Sequence, residues 1–162
     1  MRKLIFLTGI AGFLTAPTTA HSQTVNLKNK SIVYQAIDGE LKGYIYIAST
    51  GTIFWSATAN FIGLGGKDKG IRFKLNGSLN ENHKGCQVNT SAALSGNVLT
   101  LGSASSCPSL PTSDSMTMTI TFSGDECSLT QSSHFNSPQT GNVSSSIRST
   151  SCQIVTGNAI SR

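Results

Sequence analysis

The stretch Ser115-Met116-Thr117-Met118-Thr119-Ile120-Thr121-Phe122-Ser123-Gly124-Asp125-Glu126-Cys127-Ser128-Leu129-Thr130-Gln131 decides the fold. Met116, Met118, Ile120 and Phe122 fall on one side of an extended chain, and Thr117, Thr119 and Thr121 fall on the other. That period of two marks a half-buried strand. Ser123-Gly124-Asp125-Glu126 supplies turn chemistry, and Cys127 and Leu129 resume the alternation. The segment predicts an antiparallel hairpin.

Working outward, short alternating segments recur between turn signals. Residues 31–37, 41–48, 52–58, 71–75, 85–89, 97–101 and 142–154 read as strands. Residues 76–84 read as a polar turn region. The segments 103–114, with Pro108 and Pro111, and 132–141, with Pro138, read as loops. No long stretch carries helical periodicity, and no internal repeat is present. The expectation is an all-β antiparallel sandwich or small barrel of about seven or eight strands, held by two disulfides.

A second hairpin joins residues 41–48 to 52–58 through Ser49-Thr50-Gly51. With Gly51 left-handed in a three-residue loop, Ala48 pairs with Thr52. Tyr44, Tyr46, Phe54 and Ser56 then share one face, and Ile45, Ile47, Ile53 and Trp55 share the other. A two-residue turn at Thr50-Gly51 would instead put Trp55 beside Tyr44 and Tyr46, because one residue of slip exchanges the faces.

The N-terminus carries an export signature. Arg2 and Lys3 precede an apolar run over residues 4–14, and Thr18-Thr19-Ala20 offers small residues for cleavage. The run is too short to span a bilayer. Residues 1–20 read as a signal peptide. Residues 21–162 read as a single exported β domain, with 21–30 a loose leader and 155–162 a tail. No second long apolar segment follows, so no transmembrane segment is expected after processing. The expected location is periplasmic or extracellular.

The chain has 12 Lys and Arg against 7 Asp and Glu, and removing Arg2 and Lys3 leaves 10 against 7. The cations nearest to a cluster are Lys67, Lys69, Arg72, Lys74 and Lys84. Arg72 and Lys74 alternate with Ile71, Phe73 and Leu75, which reads as the wet face of a strand and not as a nucleic-acid surface. The sequons at Asn29, Asn76, Asn89 and Asn142 are close to what chance supplies in a chain this rich in Ser and Thr.

The four cysteines, Cys86, Cys107, Cys127 and Cys152, follow an export signal and imply two disulfides. Their wide spacing lacks the close pairs of a zinc site, so no metal is expected. The turns choose the pairing. A turn at Ser95-Gly96 places Cys86 near position 105, within reach of Cys107. A turn near Gln139-Thr140 places Cys127 opposite Cys152. Pairing Cys107 with Cys127 would need a reversal at Thr117, inside the clearest strand. The expected bonds are Cys86–Cys107 and Cys127–Cys152.

Motifs for catalysis are weak. A hydrolase would draw on His83 or His134 with a nearby Ser, but no G-x-S-x-G elbow is present. The glycine-rich residues 61–70 lack both G-K-[ST] and G-x-G-x-x-G, so they read as a surface loop and not a phosphate cradle. Paired carboxylates for glycoside hydrolysis find no apolar setting among the seven acids. No cofactor is implied. The aromatic residues Tyr44, Tyr46, Phe54 and Trp55 are the binding candidates, since rings on a sheet face stack on sugars or line a pocket. Core packing is the competing use of the same rings.

The segment Gly43-Tyr44-Ile45-Tyr46-Ile47-Ala48-Ser49-Thr50-Gly51-Thr52-Ile53-Phe54 resembles a strand-turn-strand of small, uncharacterised, exported β-rich bacterial proteins. Thr119-Ile120-Thr121-Phe122 followed by Cys127 is similar to their closing hairpin. The resemblance covers about a quarter of the chain; it implies export and a β-rich fold, and carries no activity with it. Fimbrial subunits share the size, export signal and β content, but their terminal strand pattern is not matched. The reading is an exported non-enzymatic binding or envelope-associated domain for a small molecule, glycan or protein. A small secreted hydrolase and a pilus-like structural subunit are the alternatives. Convergence of His, Ser and Asp would favour the first, and an incomplete sheet would favour the second.

Overall fold

The alternation in the opening stretch is realised as a hairpin, and every other strand extends the same sheet. The computed structural model describes residues 25–35, 42–57, 71–83, 85–108, 112–139 and 141–160. The signal-peptide segment 1–20 and the glycine-rich loop 61–70 lie outside them. Ten strands are described: β1 (Lys30–Gln35), β2 (Lys42–Ile47), β3 (Thr52–Ala57), β4 (Ile71–Lys74), β5 (Gly77–His83), β6 (Cys86–Ser95), β7 (Val98–Cys107), β8 (Thr112–Ser123), β9 (Glu126–Ser137) and β10 (Gly141–Thr156). They form one antiparallel sheet in the order β4-β3-β2-β1-β10-β9-β8-β7-β6-β5.

The sheet coils until its ends meet. Leu75 bridges Ala92 in parallel fashion, Thr90 Oγ1 donates to the Arg72 carbonyl at 2.6 Å, and the Leu94 amide donates to Asn76 Oδ1 at 2.8 Å. Arg72 also pairs with Glu81. A bridge and side-chain bonds close this seam where a continuous ladder would close a full barrel. The architecture is therefore a nearly closed barrel.

The inner face is the core. Ile32, Ile45, Ile47, Ile53, Phe73, Leu99, Leu101, Met118, Ile120 and Leu129 are fully buried. Gly51 takes φ 85°, Ala48 N–H donates to the Thr52 carbonyl, and Ile45 pairs with Trp55. The three-residue loop is thus the one formed, and it turns Trp55 inward. The outward positions of β8 and β9 are Thr117, Thr119, Thr121, Ser128 and Thr130. A lipid-facing barrel carries an apolar band there. Among the described residues, no helix is long and apolar enough to cross a membrane.

Both disulfides form as the turns predict. Cys86 is bonded to Cys107 and Cys127 to Cys152, and no described cysteine is free. Their loops, with separations of 21 and 25 residues, each contribute about 3 kcal/mol by limiting the unfolded chain. Full pairing is the state an oxidising compartment maintains.

Several sequence expectations are corrected. The sheet has ten described strands, not seven or eight. Residues 77–83 are a strand, because pairing with β6 along Gly77 to His83 outweighs their polar composition. β7 runs on to Cys107 and β9 to Ser137, through segments read as loops. Of the expected leader, residues 25–30 are described, and Leu27 among them is 2% exposed and joins the core. The tail is fastened too. Ser31, fully buried, donates to the Gly157 carbonyl at 2.6 Å and accepts from the Ala159 amide at 2.9 Å.

One inner row runs Gly43, Tyr34, Cys152, Cys127, Phe122 across five strands. The Tyr34 ring lies flat on Gly43, where a Cβ would stand 2.0 Å from Tyr34 Cζ. Only glycine admits that ring, and the ring in turn accepts a hydrogen bond at its oxygen from Trp55 Nε1–H at 2.6 Å. Gly43→Val should therefore expel the ring and lose that bond, costing on the order of 3 kcal/mol. Thermal denaturation should show a melting temperature about 10 °C lower; an unchanged melt would show that the ring is not packed on Gly43.

Candidate functional site

The core occupies only the upper part of the sheet, because β1 to β4 are short and staggered toward the β8–β9 turn. β1 pairs with β10 only over Cys152–Thr156. Residues 141–151 of β10 have β9 on one side and, among the described residues, no strand on the other. Among the described residues, the lower halves of β6 to β10 thus form a trough with no strand laid across it below the core, although Val88 and Ser137 within it are buried.

The sequence marks the change. Inward positions turn from Leu, Ile and Met to Ser103, Ser105, Gln131 and Ser133 on descending the strands. One row at this level runs Val88, Ser105, Asp114, Phe135, Val143. Its exposure rises from 3% at Val88 to 40% at Phe135 and 49% at Val143. Phe135 and Val143 are the exposed large apolar residues among those described, and they are directly paired. Asp114, beside Phe135, is partly buried. Burial pushes its carboxyl above the ordinary value; a bond from the Ser115 backbone and the nearby His134 pull the other way.

A one-residue bulge in β10 puts Val143 on this face. Ile147 pairs with Gln131, but Thr150 pairs with Leu129, so β10 uses one residue more than β9. Parity switches across the bulge. Odd residues face inward below it and even residues above it, which lets Val143 and Cys152 share the inner face.

The sequence-derived candidates separate. Trp55 is 6% exposed in the core, bonded to Tyr34. Burial raises the Tyr34 phenol above its ordinary 10.0, and the bond with Trp55 offsets this in part. Tyr44, Tyr46 and Phe54 lie on the outer face, half-buried. The Tyr46 and Phe54 rings stack with centroids 6.3 Å apart at 19°. The pleat therefore divides the four between two faces, and they do not line one pocket.

The hydrolase constellation assembles in part. His134 Nδ1 lies 2.9 Å from Ser144 Oγ, exposed on the outer face of β9 and β10. Ser115 is the residue opposite His134 on β8. Asp114 is the next residue, so it projects to the inner face, away from the imidazole's partners. Two members meet and the carboxylate is turned from them. The side chain of His83 lies outside the described set. No group of three His, Cys, Asp or Glu that could hold a metal occurs among the described residues.

Sequence reasoning passed over the trough. Phe135 and Val143 are lone apolar residues in Ser-rich runs, and nothing in the sequence separates Asp114 from the other acids. The one signal was their spacing: Phe135 keeps the odd parity of Cys127 and Leu129. The chain matches no protein-family model, no curated protein and no solved structure.

The raised Asp114 carboxyl has a stability consequence. The folded protein holds this proton more tightly than the unfolded chain, so releasing it favours unfolding. This residue's contribution should fall as pH rises from the ordinary 3.8 through its raised folded value, and stay low above it. Asp114→Asn should remove that fall and melt higher than the parent at neutral pH. Melting curves against pH check this, and an Asp114→Asn variant melting lower at neutral pH contradicts it.

Proposed function

We propose that the chain is an exported, non-enzymatic binding domain whose contact surface is the open lower trough, with an extended polypeptide as its partner. The observation that carries this is that, among the described residues, no strand flanks β10 over residues 141–151 on the side away from β9, next to the exposed Phe135 and Val143. An open strand edge offers N–H and C=O groups that an added strand can satisfy, and flanking apolar positions give it side-chain pockets. The export reading is supported by the basic and apolar start of the sequence, and by the fully paired cysteines. The unassembled Asp114 and His134 speak for binding over hydrolysis.

The Ser123–Glu126 turn fixes which groups are free. In a two-residue hairpin the flanking pair exchanges both hydrogen bonds, and such pairs alternate along the ladder. Even residues of β9 then bond β8, and odd ones bond β10. Asn142, Ser144 and Ser146 accordingly direct their backbone groups away from β9. A displayed library of extended heptapeptides tests the reading. Peptides should be enriched on the parent protein and lost on Ser144→Pro, which removes one outward N–H. No enrichment, or equal binding to a folded Ser144→Pro protein, would refute it.

A further inference from the structure

The two disulfides hold different places in the sheet. Cys127 and Cys152 are 7% and 3% exposed, with Phe122 beside one and Tyr34 beside the other in the core. Cys86 and Cys107 are half-buried. They stand at the end of the β6–β7 ladder, one step beyond the Gln87–Ser106 pair. The Gly96-Asn97 turn makes Ser95 and Val98 the flanking pair, so odd residues of β6 bond β7 and even ones bond β5. Cys86 and Cys107 therefore share no backbone bond across β6–β7, and their sulfurs hold that last pair together. Cys127 and Cys152 differ. Odd residues of β9 bond β10, so this disulfide adds to a ladder that continues on both sides, at Glu126–Gln153 and Ser128–Ser151.

We infer that Cys86–Cys107 is a redox latch: an external dithiol reduces it in the folded protein, and its opening loosens β5 with the lower ends of β6 and β7. A thiolate of the reductant attacks one sulfur and forms a mixed disulfide. The reductant's second thiol then displaces the protein, so two electrons and two protons pass to Cys86 and Cys107 and the dithiol leaves as its own disulfide. Local opening is easiest where strands end and apolar contacts are few, so this end opens while the core stays closed. Cys127–Cys152 is reached only when the core itself unfolds. β5 is the strand that responds. Among the described strands, β6 is its one ladder neighbour, and its last pair is His83 with Cys86. Its tie to β4 is the Arg72–Glu81 ion pair. The turn from β5 to β6 carries the Gly85 amide, which donates to Asn82 Oδ1 at 3.1 Å. With the sulfurs apart, β6 is held to β7 only from Gln87 upward, and the end of β5 loses its anchored partner.

Time-resolved alkylation with peptide mapping tests this. The oxidised protein is held in millimolar dithiothreitol and quenched with iodoacetamide. Cys86 and Cys107 should be labelled at least about tenfold faster than Cys127 and Cys152, in protein whose near-ultraviolet circular dichroism stays native. Urea sufficient to unfold the chain should erase the difference. Hydrogen exchange on protein reduced at this bond should rise in residues 77–83 and at the lower ends of β6 and β7, and stay unchanged at Leu99, Met118 and Ile120. Glutathione disulfide should restore both the bond and the slower exchange. Equal labelling of all four cysteines, earlier labelling of Cys127 and Cys152, or two bonds that resist until urea is added overturns the inference. Selective reduction with unchanged exchange in β5 also overturns it, since the bond would then be exposed without being a latch. A Cys86→Ser, Cys107→Ser double variant fixes the open state. It should keep Cys127–Cys152 and exchange like the reduced protein, and a double variant exchanging like the oxidised parent contradicts the inference.

Discussion

The structure depends on β10 and the single extra residue within it. This strand pairs with β9 along its length and with β1 only at its upper end, so it joins the short strands to the long ones. An unbroken β10 in one register would place either Cys152 or Val143 on the solvent face, because the side-chain period is two. The bulge between Ile147 and Thr150 reconciles them. Above it, Cys152 belongs to the core row that includes Tyr34 and Phe122, and Ile154 pairs with the buried Ile32. Below it, Val143 joins Phe135 in the open trough.

The division into a closed core and an open trough follows from strand length. β1 to β4 have four to six residues, whereas β8 and β9 have 12 and β10 has 16. The short strands cover only the upper part of the long ones. Where the cover ends, inward positions become Ser, Gln and Asp, as partly wet surface requires. The Cys86–Cys107 bond joins the lower ends of β6 and β7, where few apolar contacts remain. The Cys127–Cys152 bond lies instead among core residues.

The sequence revealed most where one face is buried. The β8–β9 hairpin, the β2–β3 register and both disulfides were legible because alternation and turn position constrain one another. Pairing of Ser95 with Val98 makes Cys86 and Cys107 directly opposed, so the turn-based estimate missed by two positions and still identified the bond. Legibility failed in the trough. Residues 132–137 alternate Ser, His, Asn and Phe without an apolar stripe, because their inward positions lie below the apolar core, with Ser137 the buried one; their strand character comes from pairing on both sides. β5 failed for the same reason, with Leu79 its one apolar residue. The candidate rings were placed on the correct faces by the three-residue loop, yet their sequence proximity suggested a shared site that the pleat divides. That no described strand flanks β10 over residues 141–151 was invisible, because an edge is defined by what lies beside it and not by its own residues.

Deleting Ser149 tests the central role of the bulge most directly. This exposed residue lies in the two-residue step of β10 that faces one residue of β9. Its removal leaves an unbroken register, so Cys152 and Val143 can no longer both face inward. The measurement is a thiol count with peptide mapping, alongside a thermal melt. The account predicts two free thiols at Cys127 and Cys152, an intact Cys86–Cys107 bond and a lower melting temperature. Recovery of the native Cys127–Cys152 bond with an unchanged melt would contradict it.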